Sequence, residues 1–323
     1  MKRSTLILGL TALVALLFLG SLMAGKAWVP PSAWFTADPR WWIVAELRLP
    51  RAILGLGVGA ALGLTGAVLQ GFLRNPLADP SVVGVSSCAA LGAVGAIVLL
   101  SASTPLIIFG SAMLAAAGGM ALLAGLAWRS RSAVAFILAG TVLASLAGAL
   151  TAFVISIAPN PYATAEIIDW IMGSLTDRSF SEVQFAMPFI AMGCVALLFT
   201  GRALDALTLG EDAARSLGIR LRRTQMLIVV GAGLAVGASV AVTGVVGFVG
   251  LIVPHLLRPL TGARPSALLL PSALGGAALV LAADSLVRLG PGATEIRLGV
   301  AMALIGTPFF FALLLRMRRS AWI

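Results

Sequence analysis

Leu69-Gln70-Gly71-Phe72-Leu73-Arg74-Asn75-Pro76-Leu77-Ala78-Asp79-Pro80-Ser81 forms a polar, proline-punctuated break between two long apolar runs. The period of a buried helix does not account for Gln70, Arg74, Asn75 and Asp79, and Pro76 and Pro80 interrupt helical hydrogen bonding. Arg48-Leu49-Pro50-Arg51 stands one apolar run upstream.

Around the break, 60 % of the 323 residues are hydrophobic and 11 % are charged, with a mean hydropathy of +1.05. Soluble domains carry about 25 % charged residues, so this composition belongs to a bilayer protein. At roughly 20 apolar residues per spanning helix, the chain holds about ten spans with short loops, which excludes a large soluble domain. A net charge of +10 would suggest nucleic acid for a soluble chain. In a bilayer protein, basic residues in cytoplasmic loops orient the spans, and no nucleic-acid partner is expected. Cys88 and Cys194 lie inside apolar runs and read as packing residues, without a disulfide or metal framework. His255, the single histidine, has no histidine or cysteine near it, which speaks against a metal site. Lys2-Arg3 and the apolar run to Ala24 imitate a secretory leader, but the run is longer than a leader's core and reads as the first span.

The pattern predicts an all-α polytopic protein with spans at 5–25, 52–72, 82–101, 105–128, 133–157, 183–201, 224–243, 245–258, 266–289 and 297–315. The 245–258 segment is too short to cross comfortably and ends at Pro254-His255; 157–182 reads as a loop with a short interfacial helix near Trp170. With an even number of spans both termini share one side. That side collects Lys2, Arg3, Arg129, Arg131, Arg202, Arg215, Arg220, Arg222, Arg223, Arg316, Arg318 and Arg319, so the positive-inside rule makes it cytoplasmic. Arg48 and Arg51 flank a span on the opposite side, where topology gives them no role. Gly55, Gly59 and Gly63 recur every four positions, a face that lets helix backbones approach closely. Gly59…Thr65-Gly66-Ala67-Val68 is echoed by Gly237…Thr243-Gly244-Val245-Val246, a short sign of a repeat between the halves.

Several motifs carry less than they suggest. Gly20-Ser21-Leu22-Met23-Ala24-Gly25-Lys26-Ala27 fits a phosphate loop until its last position, where alanine has no hydroxyl for magnesium, and it ends an apolar helix instead of following a strand. ATP, if used, binds another subunit. Gly55-Leu56-Gly57-Val58-Gly59 lies within a span and lacks the setting of a dinucleotide loop. Asp284 and Arg288, four apart near the outer end of the ninth span, share a helix face and can pair. The span centres hold no carboxylate of the kind an ion-coupled carrier needs. Thr208-Leu209-Gly210-Glu211-Asp212-Ala213-Ala214-Arg215-Ser216-Leu217-Gly218-Ile219 reads as a short cytoplasmic helix: acidic at its positive start, basic in its later turn, and capped by Gly218. Its pattern suits a helix that docks in a partner's groove or a surface helix with no partner. With no nucleophile–base set, composition and motif alone stop at a polytopic transporter without catalytic residues.

Six ordered pieces go further. They are Arg48-Leu49-Pro50-Arg51, Gln70-Gly71 with Arg74-Asn75-Pro76-Leu77-Ala78-Asp79-Pro80, Gly84-Val85-Ser86-Ser87, Leu209-Gly210-Glu211 with Ala214-Arg215 and Leu217-Gly218, Gly247-Phe248-Val249-Gly250-Leu251-Ile252-Val253-Pro254-His255, and Leu304-Ile305-Gly306-Thr307-Pro308-Phe309-Phe310. Over nearly its whole length the chain resembles the FecCD-type permease subunits of ABC importers for iron–siderophore, heme and cobalamin. The resemblance implies one transmembrane permease domain over 1–323, ten spans, and a second permease copy or homologue around a central pathway. It also implies two ATPase subunits that bind ATP and magnesium, a periplasmic binding protein, an inner-membrane location, and no cofactor, metal or catalytic residue in this chain. By position, Arg48, Arg51 and Arg288 match arginines that meet glutamates of the binding protein. Gly210, Glu211, Asp212, Ala213, Ala214, Arg215, Leu217 and Gly218, within the 208–220 loop, match a coupling helix that enters the ATPase. Ser132, Ala133 and Val134 match a cytoplasmic gate, here mostly apolar. The chain departs from the family pattern at Arg297, where Glu295-Ile296-Arg297 replaces Glu-Leu-Pro, and at Pro259. The cargo implied first is a ferric siderophore, with heme and cobalamin as alternatives. An ion-coupled secondary transporter and an exporter permease are the readings of other classes.

Overall fold

A computed structural model describes residues 3–36, 38–128, 133–290 and 295–320. Its α-helices run in the order Arg3–Met23 (α1), Leu49–Phe72 (α2), Val85–Leu99 (α3), Pro105–Trp128 (α4), Ala133–Ser156 (α5), Pro161–Ile171 (α6), Phe180–Leu198 (α7), Gly201–Leu207 (α8), Glu211–Ser216 (α9), Leu221–Thr243 (α10), Val249–Leu257 (α11), Pro265–Leu289 (α12) and Leu298–Ser320 (α13). Local punctuation sets many of these boundaries. Pro50, Pro161 and Pro265 sit in first turns, where the missing N–H costs no hydrogen bond. The Asn160 side chain caps α6, and Ser179 with Glu182 forms a reciprocal capping box at the start of α7.

Each predicted span corresponds to a helix, and the interfacial helix near Trp170 is α6. Among the described residues, seven helices are long and apolar enough to cross a membrane: α1, α2 with the π-helical turn Ile43–Arg48 before it, α4, α5, α7, α10 and α12. At 9 residues, α11 reaches only about 13 Å, far less than a bilayer core of about 30 Å. α3, with 15 residues, is also short.

Burial separates a core from an outer shell. The span windows of α2, α10 and α12 are 83 %, 72 % and 61 % buried, against 22–33 % for α1, α4, α5 and α7. Lipid removes most of the hydrophobic drive between helices, so close backbone contact has to hold the core. α2 crosses α12 in this way. A Cβ at Gly59 would overlap the carbonyl of Gly276, one at Gly63 would overlap that of Ser272, and one at Gly276 would overlap that of Gly59.

Two helices are interrupted alike. After α2 the chain leaves helical geometry through the 73–84 break and re-enters at α3 behind Gly84, whose φ is 82°. After α10 it leaves through 244–248 and re-enters at α11 behind Phe248, whose φ is 69°. The end of α10 lies by the start of α2, since Ser174 bonds to Thr243 and Thr176 shares Glu295 with Arg51, so the two long–short pairs point in opposite directions, the arrangement an inverted repeat would have. The Gly59/Gly237 sequence echo is out of register with it: Thr65 lies inside α2, whereas Thr243 ends α10.

Candidate functional site

The termini of α1, α2 and α12 define two functional ends. At the first, α2 begins directly after Arg48, its N-cap residue, and α1 and α12 finish. Arg51 donates to both oxygens of Asp284, its Nη2 lying 2.9 Å from Oδ1, and to Oε2 of Glu295 at 2.8 Å. Arg288 pairs with Asp284 at 2.9 Å and donates to the Ser21 and Ala24 carbonyls and to the Ser21 hydroxyl. Arg48 donates to the carbonyls of Leu22, Met23 and Ala27. A helix leaves its last four carbonyls unbonded and negative, so the two arginines outside the Arg51 pairing complete the C-terminus of α1. Thr176 also donates to Glu295. Burial works to raise the Glu295 carboxyl, but the Arg51 hydrogen bond and charge, with Thr176 and Arg288, hold it below its ordinary value.

Arg48, Arg51 and Arg288, the arginines expected to meet a docking partner, all stand at this end and turn inward in the subunit on its own. They are 6 %, 8 % and 3 % exposed, and each spends its hydrogen bonds inside the chain. The physical reason is the presence of Asp284, Glu295 and the open end of α1 beside them. Arg297 faces outward further and pairs with Asp169 at 2.8 Å.

In the middle of the subunit the first break locks onto the second short helix. Gln70, 1 % exposed, points its amide nitrogen at the carbonyls of Ala78, Gly250 and Leu251, while its oxygen accepts from Arg258. Pro80 and Gly66 both pack against Gly250. His255 presents its ring edge-on to Phe309 of α13, with centroids 5.9 Å apart. The role of Gln70 as a cross-link was invisible in the sequence, although it stands in the decisive stretch: apart from Ala78, its partners lie 180 residues or more away.

The opposite end carries α8 and α9. Glu211 and Asp212 open α9, and Arg215 pairs back to them at 3.3 and 2.9 Å. Ala214 is fully buried, while Leu209 and Leu217 flank the helix at 68 % and 63 % exposure. Gly210 turns the chain into α9 with a φ of 101°, a conformation that residues with a Cβ avoid. The predicted short helix, with Gly210 before it and Ala213, Leu217 and Gly218 in and after it, is therefore present as an exposed knob. Asp205 in α8 accepts from Arg264 and from the Ser266 amide and hydroxyl. Sequence reasoning did not single out Asp205. Of the expected Ser132-Ala133-Val134 gate, Ser132 lies outside the described residues, and Ala133 and Val134 open α5.

Comparison with known proteins agrees with this architecture. The model of the FecCD transport family matches residues 13–316. The chain is 41 % identical over 282 residues to the cobalamin import permease of Halobacterium salinarum, covering 84 % of this chain and 73 % of that one. It is 36 % identical over 320 residues to the hemin transport permease of Yersinia pestis, covering 96 % and 95 %. To the ferric dicitrate transport permease of Escherichia coli it is 36 % identical over 322 residues, covering 98 % and 100 %. A solved structure described as an inward-facing metal-chelate type ABC transporter superposes with a TM-score of 0.87 at 32 % identity, covering 97 % of this chain and 99 % of that one. A family match over nearly the whole chain and relatives aligned end to end lead to one conclusion: this chain is a membrane-spanning permease of the FecCD transport family.

Proposed function

We propose that this permease is the membrane subunit of a binding-protein-dependent ABC importer in the inner membrane, carrying an iron chelate with a ferric siderophore first among the candidates. Heme and cobalamin remain the alternatives, since relatives of nearly equal similarity are named for hemin, ferric dicitrate and cobalamin. The observation that carries the reading is the exposed Glu211–Ser216 knob, fixed to the core through α8 and flanked by Leu209 and Leu217. A short helix with apolar flanks suits insertion into a groove of a partner. That partner is an ATPase pair holding ATP and magnesium, so this chain performs no hydrolysis. The Asp205 end is cytoplasmic, as the basic residues around it and both termini favour.

A loaded binding protein meets the Arg51 end. Arg48, Arg51 and Arg288 fix the shape of that surface, and direct contact with a partner requires their internal bonds to open. Nucleotide-driven closure of the ATPases moves α9, the spans of two permeases alternate access, and hydrolysis resets them. The test is ATPase co-purification from native membranes with wild type and with Glu211→Arg plus Asp212→Arg. Loss of a bound ATPase in the charge-reversed protein supports the assembly. Uptake by wild type that never carries an ATPase and follows an ion gradient replaces this reading with a secondary transporter.

A further inference from the structure

α12 is gripped at both ends. Its N-cap residue, Arg264, makes no side-chain cap bond. A carboxylate from another helix takes that place: Asp205 accepts from the Ser266 amide at 2.8 Å, the Ser266 hydroxyl at 2.6 Å and Arg264 Nε at 2.7 Å. Such a contact satisfies an orphan N–H of the first turn and sets a negative charge at the positive end of the helix. α8 is itself seated in the core, since Leu204 is fully buried beside Gly71 and Gly201 lies against Ser266. Only Thr208, Leu209 and Gly210 separate α8 from α9. At the other end, Asp284 and Arg288 of α12 stand in the Arg51 cluster. Between the ends, the glycine crossing leaves no side-chain layer between α12 and α2 that could absorb a displacement.

We propose that Asp205 is the positioning residue through which the Glu211–Ser216 helix moves α12, and that α12 and α2 carry this motion as one body to the Arg51 cluster. This deepens the ATP-driven reading above and rests on it. A purely local role, in which Asp205 merely holds α8 and α9 in place, is the competing account.

The experiment uses the complex purified from native membranes through a tag on this chain. Spin labels go on Leu99→Cys and Leu289→Cys, two exposed positions beside the Arg51 end, in a Cys88→Ala, Cys194→Ala background. Addition of a non-hydrolysable ATP analogue should change the label distance in wild type by about 2 Å, the scale of helix shifts in switching proteins. Asp205→Ala should keep its ATPase and its folded state, yet reduce the shift to about half or less. Asp205→Asn, which still offers an oxygen to the Ser266 amide, should fall between the two. An undiminished shift in both variants overturns the inference, as does a wild type with bound ATPase and no shift. Loss of the ATPase from either folded variant assigns Asp205 the local role and also overturns it. A wild type that never carries an ATPase fails the underlying reading instead.

Discussion

α12 ends in two very different electrostatic settings. At the Arg51 end three arginines and two carboxylates are drawn together, with side chains of Arg51, Arg288 and Asp284 no more than 10 % exposed. At the Asp205 end the partner charges are wet: Arg264 is 70 % exposed and Arg215 42 %. Desolvated charges tolerate only one arrangement, because losing a partner leaves a bare charge in a medium that cannot solvate it. Solvated pairs tolerate many. One end is therefore built to keep its shape, while the other can rearrange against a partner.

The strongest attempt to break this contrast is Asp284→Ala. It strips Arg51 and Arg288 of their shared carboxylate and should cost about 3–5 kcal/mol, read as the fall in thermal unfolding midpoint in lipid nanodiscs. A loss under about 1 kcal/mol would mean that the cluster is solvated and the two ends alike.

Acid provides the second test. Glu295 titrates below its ordinary value, so its contribution is fully present above the unfolded carboxylate value and is lost as pH falls through the folded one. Stability should drop below about pH 4.3, and Glu295→Gln should flatten that part of the curve. An unchanged acid limb would take Glu295 out of the cluster.

The smallest effect sharpens the other side. Arg215→Ala breaks two exposed pairs within α9 and should cost no more than about 0.5 kcal/mol in the same melts. A loss comparable with that of Asp284→Ala would show that the knob is as rigidly held as the Arg51 end.

The helices were legible because a bilayer demands long apolar runs, and prolines, Asn160 and Ser179 mark where several of them begin. α11 stood out as too short on length alone. The arginines were legible as misplaced charges, but not in their orientation. Arg48 and Arg51 are three apart and so share a helix face, yet nothing local says whether that face looks in or out. The counter-charges decide it, and Asp284 lies 233 residues from Arg51. The Asp284–Arg288 spacing, which did suggest a pair, was the available clue. Gln70 and Asp205 were hidden for the same reason: hydrogen bonds to distant backbone leave no periodic trace.

The finish of α1 also has a consequence for biogenesis. Its terminal carbonyls are closed by Arg48, some two dozen residues on, and by Arg288, 267 residues later. During synthesis the first helix enters the bilayer long before its final donor exists. Until the ninth span arrives, Arg51 also lacks its aspartate. The N-terminal helix is thus a provisional guest of the membrane, and the arrival of α12 is the step that commits the chain to its finished arrangement.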